Sequence, residues 1–115
     1  MLILKEDFEI KTNGSEYILP EYRVVDGKGI EKTSGEQEIR FVRGSKLADE
    51  EVEKKEGTLH EHLLAMMIHD LEFKNGLVSS NEGEQVIIKL KEALGWLRQR
   101  QIDRNKRNVQ GTYQK

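Results

Sequence analysis

The residues best suited to chemistry are arginines near the C-terminal end. From Trp96 to Lys115 the chain reads WLRQRQIDRNKRNVQGTYQK. Arg98, Arg100, Arg104, Lys106, Arg107 and Lys115 stand there against one acid, Asp103. Steps of three and four residues from Leu97 reach Arg100, Arg104 and Arg107. On a helix those three share one face, in line with the apolar stripe that precedes them. Two uses fit that row. The arginines can solubilise a projecting helix end and complement the negative end of its dipole. Alternatively, their forked guanidinium donors can hold phosphate oxygens at a subunit junction. Spacing alone does not choose between the two. Asn108 suits a helix terminus, and Gly111-Thr112 beyond it can aim backbone amides and a hydroxyl at the same anion.

Other candidates are weaker. His62, Met66, His69 and Phe73 share a face of an earlier helix, and two histidines seven residues apart can both touch one ligand. Zinc needs a third ligand and tighter spacing, such as HExxH, which the chain lacks. No metal and no cofactor are therefore expected. There is no GxSxG, no P-loop and no GxGxxG. Asp70 and Glu72 read as surface charge, and no paired carboxylates mark an acid–base site. An enzyme is not expected. Phe73 and Trp96 are of the type that more often fills a core. Beside arginines, aromatic rings can also stack on a nucleobase.

Composition bounds the rest. With 115 residues, 36% hydrophobic and 35% charged, the core is thin for the length. Part of the apolar surface is expected to be buried between subunits. Formal net charge is -2, so any basic function must be local. Cysteine is absent, which excludes disulfides, thiolate metal sites and a cysteine nucleophile. The opening MLIL is too short for a signal-peptide core or a membrane span, and a soluble, cytoplasmic protein is expected.

These residues need elements to position them. Residues 1–46 read as strands. Phe8 and Ile10 alternate, as do Ile39 and Phe41. Tyr17, Ile18, Tyr22, Val24 and Val25 add β-branched and aromatic character. Asn13-Gly14, Asp26-Gly27 and Ser34-Gly35 read as turns, and Pro20 as a strand end or an edge. A small antiparallel meander of three to five strands follows. Residues 47–56 are a charge run, read as a solvated linker or a short exposed helix. Thr58 and Glu61 have capping-box spacing and predict the start of a helix. Leu59, Leu63, Leu64, Met67, Ile68 and Leu71 give its apolar stripe, and Asn75-Gly76 is expected to stop it. A second helix follows Ser79-Ser80-Asn81, any of which can cap it. Its stripe is Val86, Ile87, Leu90, Ala93, Leu94 and Leu97. The short connection makes the helices antiparallel neighbours, so 57–115 reads as a helical hairpin. The fold class is α+β, a small antiparallel sheet followed by that hairpin.

The segments GTLHEHLLAMMIHDL (57–71) and ALGWLRQRQIDRNKRNVQGTYQK (93–115) carry a resemblance. They resemble the helical hairpin domain shared by phage anti-CBASS and anti-Thoeris sponge proteins. The pattern is A-L-x-W-L-x-x-R-x-x-D-R-x-x-R-x-V-x-G-T-x-x-K, and the match covers roughly the last 60 residues. Strands ahead of the hairpin look like the anti-Thoeris branch. The resemblance implies a phage anti-defence protein in the infected host cytoplasm. It implies tight binding of a cyclic ADP-ribose isomer without cleavage, with cyclic oligonucleotides as further ligands. It also implies a homo-oligomer, a dimer or a hexamer, with pockets between subunits. Arg100, Arg104, Arg107 and Thr112 match the motif and take phosphate contacts. Phe73 and Trp96 are candidates for base or ribose contacts. Gly95 replaces a residue that is often bulky, and Asn108 replaces a usual glycine. Two other classes stay open. A nucleic-acid binding module would use the same basic tail, against the acidic balance elsewhere. A purely structural phage protein would bind no small molecule.

Overall fold

Turn chemistry organises the first half. The computed structural model describes residues 7–44, 46–47, 50–51 and 53–107. Three strands, β1 (Glu9–Thr12), β2 (Glu16–Val25) and β3 (Gly29–Arg40), form an antiparallel sheet in the order β1-β2-β3. Asn13-Gly14 joins the first pair, with Gly14 at φ 73°. Asp26-Gly27 joins the second, where Gly27 (φ 77°) and Gly29 (φ 87°) take the left-handed backbone that these turns require. Arg23 lies opposite Glu31 and pairs with it at 2.9 Å, a cross-strand contact on an exposed face.

Ser34-Gly35 is not the expected turn. Pro20 pairs with Glu36 and Tyr22 with Lys32, so β2 spends one residue where β3 spends three. Thr33, Ser34 and Gly35 therefore form a bulge inside β3. Glu21 locks it. Its carboxylate accepts the Thr33 hydroxyl (2.9 Å) and the Gln37 side-chain amide (2.7 Å), and the Thr33 hydroxyl accepts the Gly35 amide (2.9 Å). A methyl group on Gly35 would collide with that carboxylate. The glycine serves a close approach rather than a reversal of the chain.

Tyr17 is the aromatic centre of the sheet unit, edge-on to Phe8 (5.8 Å) and Phe41 (5.9 Å). Beside it Ser15 is fully buried. Its hydroxyl donates to the Phe41 carbonyl (3.0 Å), and its own carbonyl accepts the Phe41 amide (2.7 Å). The charged stretch after β3 is neither a helix nor a plain linker where it is described. Lys46–Leu47 (β4) pairs with Glu50–Glu51 (β5). Lys55 exchanges backbone hydrogen bonds with Arg43 (2.9 and 3.1 Å), and Gly57 lies against the Arg40–Val42 backbone. Among the described residues, 7–43 and 54–57 form one compact unit, and those of 44–53 and 58–107 form a second.

The second unit holds the hairpin of α1 (His60–Leu77) and α2 (Asn81–Arg107). The expected capping box is absent. Leu59 is the N-cap, still extended at φ −104° and ψ 152°, and no side chain caps the helix. Thr58 stands one residue before that N-cap, too early to cap the helix. Asn75-Gly76 does not stop α1 either. The helix continues to Leu77, and Val78 donates back to the Lys74 carbonyl (3.1 Å). The Asn75 side chain has another task. It accepts the Ser80 amide and donates to Glu84, both at 3.1 Å. Ser80 then caps α2 by accepting the Gly83 amide at 2.9 Å. Ile68, Ile87 and Leu94 are the buried apolar core. Met67, Val86 and Ala93 of the expected stripes stay exposed. Among the described residues, no helix is long and apolar enough to cross a membrane.

Candidate functional site

The two helices run level in opposite directions. Glu72 pairs with Lys91 at 3.0 Å near one end, and Asp70 pairs with Lys74 at 2.8 Å along α1. Both pairs are exposed and contribute little to stability, as expected of surface charge. Towards the start of α1 the helices leave a cavity of about 360 Å³. His60, Leu63, Leu64, Leu97 and Arg100 line it. That volume is within the range of small-molecule sites, about 300–1,000 Å³. The three leucines are half-buried, while His60 and Arg100 lie at its exposed rim.

The arginine row lies on the last turns of α2. Arg100 extends the stripe from Leu97 and meets the cavity. Arg104 is half-buried one turn further on, and Arg98 is exposed. Since His60 stands level with Arg100, the seven residues of α2 beyond Arg100 outrun α1 by roughly 10 Å. Arg107 closes α2, and its backbone alone is described. Thr112, Gly111 and Asn108 lie outside the described residues.

The two aromatic candidates are not core residues. Trp96 is 76% exposed and Phe73 59% exposed. Helix spacing puts Trp96 four residues before Arg100, on the same side of α2. Phe73 is not brought to that place. It stands thirteen residues along α1 from His60, roughly 20 Å by helix rise. It shares an exposed face with His62, Met66 and His69, as their spacing implies. Among the described residues, no cluster of histidine, cysteine or acidic side chains could hold a metal ion.

Sequence reasoning missed His60, which it read only as part of the helix start. The signal was available, because His60 is three residues before Leu63 and four before Leu64 on one helical face.

The chain is similar to a phage anti-defence protein. That relative is Thoeris anti-defense 1 of Bacillus phage SBSphiJ7, 42% identical over 60 residues. The matched stretch is 51% of this chain and spans 42% of the relative, less than half of its length. No protein-family profile matches the chain.

A second cavity, about 390 Å³, lies in the sheet unit beside the bulge, with Phe8, Ile18, Pro20, Lys32 and Ser34 in its wall. Its mixed charges, Lys32 against Glu9 and Glu36, select no ligand class.

Proposed function

We propose that this protein is a phage anti-Thoeris protein. It acts by binding a cyclic ADP-ribose-type signalling nucleotide and withholding it without cleavage. One observation carries the reading, in a chain similar to Thoeris anti-defense 1. It is the leucine-lined cavity at the arginine end of the hairpin, with Arg100 at its rim and Arg104 beyond. A sequestering protein needs affinity and slow release, not turnover. Guanidinium donors on two phosphates, beside a surface that a purine can cover, suit that purpose. Nanomolar binding corresponds to about 12 kcal/mol, within reach of several such contacts. Arg104, Arg107 and Thr112 take phosphate oxygens in this proposal, and Trp96 offers a ring to base or ribose. Cyclic oligonucleotides are a second ligand class for the same chemistry in this proposal.

Homo-oligomeric assembly, as a dimer or a hexamer, belongs to the same proposal. It is supported by the small buried core and by Met67, Val86, Phe73 and Trp96, apolar side chains left in solvent. The protein is incubated with a cyclic ADP-ribose isomer and then heat-denatured, and the released ligand is assayed. Recovery of intact ligand is expected, and a hydrolysed product refutes sequestration. Arg104→Ala is expected to cost at least a hundred-fold in affinity with helix content unchanged. Affinity for oligonucleotides that falls steeply with salt would favour the nucleic-acid reading instead. Absence of any thermal shift with cyclic nucleotides would favour a structural protein.

A further inference from the structure

The cavity at the arginine end of the hairpin has a composition that sorts parts of a ligand. Its floor is Leu63, Leu64 and Leu97. The nitrogen-bearing side chains at its rim come from different helices, His60 from α1 and Arg100 from α2. A phosphate is poorly served by a leucine floor, which offers no hydrogen bond to replace its lost water. A flat heterocycle is well served. Its faces lie against aliphatic carbon, and both an imidazole ring and a guanidinium plane stack on it.

We propose that His60 and Arg100 hold the base of the bound nucleotide over these leucines, while its phosphates extend along α2 towards Arg104. The proposal rests on the nucleotide-binding reading above and deepens it. It makes His60 a binding residue, and it moves Arg100 from a phosphate to the base. Phe73, roughly 20 Å away along α1, takes no part in this contact within one chain.

The test is calorimetric titration of the full chain with cyclic ADP-ribose and its linkage isomers at several salt concentrations. His60→Ala is expected to weaken binding about ten-fold or more, the usual effect of losing one stacked partner. His60→Phe keeps a ring and is expected to stay within a few-fold of the unmodified protein. Arg104→Ala is expected to flatten the salt dependence, whereas His60→Ala keeps the original slope, because it removes no phosphate contact. Circular dichroism checks that each variant retains its helices, and His60→Gln supplies a second ringless variant. Unchanged affinity in His60→Ala and His60→Gln overturns the proposal and leaves the nucleotide reading intact. A His60→Phe variant as weak as His60→Ala also overturns it, because the imidazole then acts through a hydrogen bond or a charge. If the unmodified protein binds none of these nucleotides, the functional reading itself fails and the base clamp fails with it.

Discussion

Two glycines of α2, Gly83 and Gly95, are expected to respond to alanine with opposite signs. Alanine in a helix interior is usually better than glycine by about 1 kcal/mol. At Gly95 an added methyl group meets open space, so Gly95→Ala is expected to stabilise the hairpin by about that amount. At Gly83 the methyl group would lie 2.6 Å from the Asn75 side-chain oxygen and 3.0 Å from the Ser80 hydroxyl. Asn75 would have to turn away. It would then lose its bonds to the Ser80 amide and to Glu84, about 0.5–1 kcal/mol each at an exposed site. The Ser80 cap on the Gly83 amide would be strained as well, and such a cap is worth about 1 kcal/mol. These losses exceed the propensity gain, which is smaller in a first turn. Gly83→Ala is therefore expected to destabilise by about 1 kcal/mol. In an Asn75→Ala background the closer obstacle is gone and only the Ser80 hydroxyl stays near, so the same substitution is expected to be about neutral. Urea unfolding followed by helical circular dichroism measures both steps. If Gly83→Ala stabilises equally in both backgrounds, the close approach of Asn75 to Gly83 has no energetic weight and this account of the hairpin junction is wrong.

Other outcomes follow from the sheet unit. Gly57→Ala would set a methyl group 2.5 Å from the Phe41 carbonyl carbon and 2.7 Å from Arg40 and Val42 backbone atoms, none of which can rotate away. It is expected to cost about 2 kcal/mol, in the range of overpacking, with the near-ultraviolet signal of Tyr17 as readout. Acid should weaken the same unit. A hydrogen bond from Thr12, then nearby Lys11 and Lys55, holds the Glu16 carboxyl below its ordinary value of 4.5, and Arg40 does the same for Glu38. A depressed folded-state value means that the stabilisation is present above the unfolded value. It is lost as pH falls through the folded one. Melting temperature is expected to drop between pH 5 and pH 3, by less in high salt because both groups are exposed. A flat profile would show that these contacts do not form in solution.

Much of this molecule is legible without coordinates. Asn13-Gly14 and Asp26-Gly27 mark hairpin turns because only a few residues accept the backbone such turns need. The stripes through Ile68, Ile87 and Leu94 declare two antiparallel helices, and the step from Leu97 to Arg100 already puts a guanidinium beside an apolar floor. Those signals are local, set by φ preference and helical period. The misread positions have long-range causes. Ser34-Gly35 looks like a turn, yet Glu21 on the neighbouring strand holds it as a bulge. Asn75-Gly76 looks like a helix stop, yet Asn75 is occupied by Ser80 and Glu84 across the connection. Trp96 looks like core but stands in solvent, because core membership depends on where a second helix lies. His60 faces the leucine floor for the same reason, since its partner Arg100 is forty residues away along the chain. Sequence period determined which side of each helix its arginines and leucines occupy. Only the pairing of the two helices decided that His60 and Arg100 border one cavity and that Phe73 lies far from it.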